Sequence, residues 1–207
     1  MRSPHVRALA GALAWLALTA CEMTSAPLPD PTQIALQQSD LPAGLQRCTS
    51  SGDIGGFMRG LQRGNPAAHD ELAGAWRDLQ HRGALQASIV VFVEQPAACG
   101  ARLGTGQGTT LTSVVVRFSD DTTAAAAYQR GILGFTTPNE NAEVADMNRG
   151  AATGIGRNAW VIQRTVQGRS LIVGLWERHA ILVLFVAVDS DPLHAKQALA
   201  AVDGRIP

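Results

Sequence analysis

The chain has 207 residues, of which 46% are hydrophobic and 16% charged, with 17 basic and 17 acidic side chains. That apolar content excludes a disordered tail and is enough to bury a core, and the length suits one domain with a short appendage. The balanced charge supplies no basic face, so nucleic acid is not an expected partner.

At the N-terminus, MRSPHVR is a short cationic start, followed by the apolar run ALAGALAWLALTA. A helix needs about 20 apolar residues to span a bilayer, and this run is too short, so it reads as a signal peptide. It ends in Leu18, Thr19, Ala20 and Cys21, and LTAC resembles the lipobox of bacterial lipoproteins. Leu18 disfavours ordinary signal peptidase, which prefers small residues at both −3 and −1. The resemblance implies cleavage before Cys21 and a diacylglycerol on its sulfur. With each buried methylene contributing about 0.8 kcal/mol, two or three chains would anchor the domain to the cell membrane or the outer membrane, outside the cytoplasm. The expected organisation is a signal peptide over 1–20, a lipidated N-terminus and Pro-rich tether over 21–32, and a globular domain over 33–207. The leader carries Arg2 and Arg7 and no acid, so its loss leaves a net charge of −2.

Cys48 and Cys99 then remain as an even pair in an oxidising compartment. A bond between them would close a loop worth about 4 kcal/mol on the chain-entropy account, the alternative being two separate buried thiols. Their spacing gives neither a CxxC redox motif nor a zinc set.

Past the tether, QIALQQSD suits a turn or two of helix, and Pro42 and Gly44 mark a turn into the domain. Asp53 could cap a short helix over Ile54 to Leu61, weakened by Gly55, Gly56 and Gly60, with Ser51 as another capping residue before it. Asn65 and Pro66 form a helix start, and Leu72, Trp76 and Leu79 recur on one face, which predicts a helix over Ala67 to Arg82 packed by Trp76 on a sheet. Ser88 to Glu94 and Leu111 to Ser119 are rich in Val, Ile and Phe and read as strands, joined by a Gly-rich connection. A second helix begins at Asp120 or Asp121, with Ala124, Tyr128, Gly131, Ile132 and Phe135 on one face. The segment from Thr136 to Gly150 has no periodicity and reads as a loop.

The C-terminal third is the clearest β structure. Trp160, Ile162, Arg164 and Val166 alternate with Val161, Gln163 and Thr165, as in a strand with one better-buried face. Gln167 and Gly168 turn into a strand over Ser170 to Trp176. Glu177, Arg178 and His179 separate it from Ala180 to Val188, whose run of apolar residues predicts a central strand covered on both faces. Asp191 and Pro192 start a last helix with Ala195, Ala198, Leu199 and Val202 as its stripe, ended by Gly204. The order predicts an α+β fold, an antiparallel sheet of five or more strands flanked by helices.

Four segments, DLPAGL at 40–45, TGIGRNAWV at 153–161, WERHAILVLFVAV at 176–188 and the terminal GRI at 204–206, resemble the extracellular sensor-type domains of actinobacterial kinases and lipoproteins, and more loosely the PsbP-like fold. The resemblance spans most of residues 40–206 and implies sensing of a ligand or partner without catalysis.

Catalytic signatures are weak. Gly154, Gly156 and Ala159 match GxGxxA, but a strand follows where a phosphate-binding site needs a helix, so a tight turn is the better reading. Gly104, Gly106 and Gly108 suit a hairpin tip. His69 stands beside two acids in a first helical turn, His81 three residues after Asp78, His179 beside Arg178 at a hairpin tip, and His194 on a solvent face; none forms a metal-ligand pair. No GxSxG elbow or SxxK pair is present. No catalytic, cofactor or metal residue is therefore assigned. The large aromatics Trp160, Trp176 and Tyr128 are core by default, and a partly open one would serve a ligand groove. The function expected is a non-enzymatic, membrane-anchored module binding a small apolar ligand or an envelope protein. The alternatives are a structural accessory lipoprotein and an enzyme using His81 or His179 with nearby acids.

Overall fold

The computed structural model describes residues 28–100, 108–139, 141–156 and 158–207. Cys21, the signal peptide, most of the tether, and Gly104 and Gly106 lie outside the described residues. The fold is α+β. Its described elements are α1 (Pro31–Ile34), β1 (Gln46–Arg47), β2 (Gly52–Asp53), α2 (Ile54–Gly64), α3 (Pro66–His81), β3 (Ala84–Val93), β4 (Thr110–Phe118), α4 (Asp121–Arg130), β5 (Met147–Arg149), β6 (Ala159–Val166), β7 (Arg169–Arg178), β8 (Ile181–Val188) and α5 (Pro192–Asp203). All eight strands join one antiparallel sheet in the order β1-β3-β4-β8-β7-β6-β5, with β2 also on β3.

Each face of the sheet buries its own core. On one, α2, α3 and α4 cover Ile89, Val91, Val114, Val116, Leu175 and Leu184 with Phe57, Leu72, Trp76, Ala124 and Tyr128. On the other, α1 and α5 cover Val90, Phe92, Val115, Trp176, Val183 and Phe185 with Ile34, Ala195, Leu199 and Val202. Strand β8 is buried along its whole length between β4 and β7, which is why every position in it can be apolar. Gly174 lets α5 come close, because a Cβ there would stand 2.9 Å from Leu199 Cδ1. The Leu36 amide donates to the buried Ser113 hydroxyl at 3.0 Å, and Arg205 donates to the carbonyls of Ile34 and Ala35, so both ends of the domain close over this second face.

The helix starts follow their caps: Asp53 accepts from Gly56 N at 2.9 Å, Asn65 from Ala68 N at 3.1 Å, and Asp191 from Leu193 and His194. Ser51 is not a cap. Its hydroxyl accepts from Val91 N and donates to Val91 O, doing the work of a strand partner at the sheet edge. Helix α2 reaches Gly64, past the expected Leu61.

Three expectations are corrected, and the length of the last hairpin loop, open from the sequence, is fixed. Helix α4 stops at Arg130, because Gly131 takes φ +79° and the chain turns sharply through Ile132 to Phe135. Within 136–150, Met147–Arg149 forms the edge strand β5, paired with Ile162 to Trp160. Strand β6 does not alternate: Ala159, Trp160 and Val161 are buried on both faces, and Gln163 to Val166 are exposed, while the facing Arg169 to Leu171 of β7 are half-buried. The β7–β8 loop is two residues, His179 and Ala180, since Arg178 pairs with Ile181.

Candidate functional site

A cleft of 280 Å³ opens between α2, α3 and the turn after α4. Its apolar walls are Phe57 and Leu61 from α2, Leu72 and Ala75 from α3, and Ile132, Leu133 and Phe135 from the turn. Glu71, Asp78 and Arg82 from the α3 side, with Arg130 at the end of α4 and Thr136, bring polar atoms to it. Ala68 and Leu72 belong to the core stripe of α3, and Glu71, Ala75 and Asp78 follow one another at three- and four-residue spacing beside it.

The turn that forms the third wall is built tightly. Ile132 and Phe135 exchange both backbone hydrogen bonds, at 2.9 and 2.8 Å, across Leu133 and Gly134, which hold φ +52° and +84°. A Cβ on Gly131 would meet Phe135 O at 2.0 Å, so only glycine admits this closure. Leucine at a left-handed position carries a steric cost of about 1 kcal/mol or more. Its side chain is half-buried against the α2–α4 core and lines the cleft, so the costly position delivers an apolar wall. Arg82 fastens the turn to α3: one terminal nitrogen donates to Gly131 O at 3.1 Å while the other pairs with Asp78. Farther along, Thr137 Oγ1 donates to Tyr128 O and accepts from Trp160 Nε1 at 3.4 Å.

The aromatics proposed for a groove do not form one. Trp160, Trp176 and Tyr128 keep 5%, 1% and 6% of their surface. Trp160 and Tyr128 belong to the core under α2–α4 and Trp176 to the core on the opposite face, so the sheet separates them. Trp160 and Tyr128 instead support the turn from below through Thr137. By spacing alone Ile132 and Phe135 fit a continuous helix, which conceals this wall of the cleft; the signal for a turn is the pair Gly131 and Gly134.

The histidines are scattered. His81 is exposed at the end of α3, and Asp78 pairs with Arg82 rather than with it. His69 meets Asp70 at 2.9 Å in the first turns of α3, and His194 lies 3.9 Å from Asp191. His179 stands 3.6 Å from Asp121 at the β7–β8 turn. Nearby, burial pushes the Glu177 carboxyl above its usual range, against the lowering effect of the Asn158 amide that donates to it at 2.7 Å. Ser119, at this end of β4, donates to Asp120 at 2.7 Å rather than to His179. Among the described residues no three His, Cys, Asp or Glu side chains converge as a metal site. No described helix is long and apolar enough to cross a membrane. Cys48 and Cys99 form a disulfide, and Gly154 and Gly156 turn at positive φ ahead of β6.

No family model matches the chain, and no curated protein is significantly similar to it. Among solved structures, the extracellular domain of PknH from Mycobacterium tuberculosis is 13% identical, with a TM-score of 0.34 over 60% of this chain and 66% of that domain. This chain thus spans just under two thirds of that domain's length. An uncharacterised protein from Mycobacterium smegmatis is 12% identical, with a TM-score of 0.27 over 87% of this chain and 84% of that one.

Proposed function

We propose that the protein is an extracytoplasmic lipoprotein, held to a membrane through acyl chains on Cys21, whose domain binds a small, largely apolar ligand without catalysis. The observation that carries the binding reading is the 280 Å³ cleft walled by Phe57, Leu61, Leu72, Ile132, Leu133 and Phe135. Sites for small molecules are concave, mostly apolar and edged by a few polar groups, and this cleft meets each condition near the small end of the size range. A turn locked by hydrogen bonds on both sides makes it largely preformed, which lowers the entropic cost of binding. The export reading rests on the leader, on LTAC at residues 18–21 and on the disulfide, a bond that persists in oxidising compartments.

Both parts are tested with the chain carrying Leu18→Ala and Cys21→Ser, expressed in its own host, so that small residues at −3 and −1 let ordinary signal peptidase remove the leader. The variant is expected in the aqueous fraction on detergent phase partitioning, where the unaltered protein enters the detergent phase. Native mass spectrometry of that aqueous protein is expected to show a bound small molecule. A variant still in the detergent phase would remove the lipid anchor. A bare mass, or a stoichiometric protein partner in place of a small molecule, would replace the binding reading with that of an accessory subunit.

A further inference from the structure

We infer that the occupant of the cleft is a single-chain aliphatic molecule with an anionic head, the chain lying between α3 and the 131–136 turn and the head at Arg130. The inference rests on the binding reading above and adds the ligand's chemistry. Size sets the first limit. The cleft of 280 Å³ lies just below the range of about 300–1,000 Å³ usual for drug-sized ligands, which favours a slim chain over a bulky ring system.

Polarity at the cleft's edge sets the second. Both of its carboxylates already have a partner: Asp78 gives Oδ2 to Arg82, and Glu71 has one as well. The unmet capacity lies on the donor side. Neither Arg130, which is exposed, nor the Thr136 hydroxyl has a partner among the described residues. A head group that accepts hydrogen bonds and carries negative charge complements that set, and an alcohol does so only in part; a cation would meet Arg130 directly. A carboxylate and a phosphate share this chemistry. The protein's own acyl chains are a poor occupant, because the chain enters the domain through Leu28 and α1 on the opposite face of the sheet.

The test is calorimetric titration of the exported chain carrying Leu18→Ala and Cys21→Ser with four ten-carbon probes: decanoate, decyl phosphate, decanol and decyltrimethylammonium. The anions are expected to bind at least about tenfold more tightly than decanol, the scale of one hydrogen bond to a charged group. Arg130→Gln, a change at an exposed position, is expected to remove most of that advantage and to weaken decanol much less than the anions. Preference for decanoate over decyl phosphate, or the reverse, identifies the head. Equal binding of decanol and the anions, tighter binding of the cation, or an anion preference untouched by Arg130→Gln overturns the anionic head and leaves the apolar cleft standing. Binding of none of the four overturns both.

Discussion

Asp203, at the last turn of α5, is a buried carboxylate whose surroundings only partly compensate it. Arg178 lies 3.2 Å away, yet Asp203 Oδ1 and the neighbouring Trp176 Nε1 are buried without completed hydrogen bonds. Burial therefore outweighs both the Arg178 charge and the indole, and the carboxyl is pushed above its usual range. A raised acid favours the folded state when protonated. Its contribution is fully present below the unfolded value and is lost as pH rises through the folded one. Asp203→Asn keeps the shape without the charge, so the variant is expected to gain stability relative to the parent between pH 4 and pH 7 in urea unfolding. A variant that instead falls further behind as pH rises would mean that the Arg178 pair outweighs desolvation. None of this was legible in the sequence, where Asp203 is an acid near a helix end. The same limit applied to Trp160 and Trp176: residue type marks both as amphipathic, but only strand register puts them sixteen residues apart on opposite sheet faces.

At the scale of elements, what was legible had a local cause. The starts of α3 and α5 follow from Asn65–Pro66 and Asp191–Pro192, and β8 from nine apolar residues in succession. What was not legible depended on partners distant in sequence. Strand β5 exists because Met147–Arg149 meets Ile162 to Trp160, and the exposed half of β6 lies where no helix covers the sheet. The candidate site fell in the same gap, since its third wall is a turn whose shape Gly131 sets. Contact between α5 and the sheet is another such feature. Gly174 reads from sequence as a weak point in a strand, whereas in the fold it is the place where Leu199 descends onto β7. Gly174→Ala should therefore destabilise, not stabilise, despite alanine's lower chain entropy when unfolded. The added methyl group must displace Leu199 or lift α5, an overpacking cost of about 1–3 kcal/mol. Thermal unfolding should register it as a fall of about 2–4 °C per kcal/mol. An increase in melting temperature would show that α5 is not tightly seated there.

For the molecule as a whole, the disulfide acts on the layer that forms the cleft. Cys48 follows β1 and Cys99 follows β3, so the loop closed by the bond holds β2, α2, α3 and β3, the two cysteines standing 51 positions apart in sequence. Two of the three cleft walls, α2 and α3, lie inside that loop. The third, the turn at 131–136, lies outside and is joined to α3 through Arg82 and Gly131. A crosslink of this span constrains chiefly the unfolded chain, by about 4 kcal/mol at room temperature. That is a large part of the roughly 5–15 kcal/mol that holds a domain folded. The native sheet does not require the bond to find its register, because β3 also pairs with β4 along its full length. Replacing both cysteines by serine should thus give a protein with the same circular dichroism and the same ten-carbon probe binding, but with an unfolding free energy in urea lower by about 4 kcal/mol. If binding is lost while the fold persists, the bond holds α2 and α3 in place in the native state. A stability change under about 1 kcal/mol would mean that the loop is already ordered in the unfolded chain.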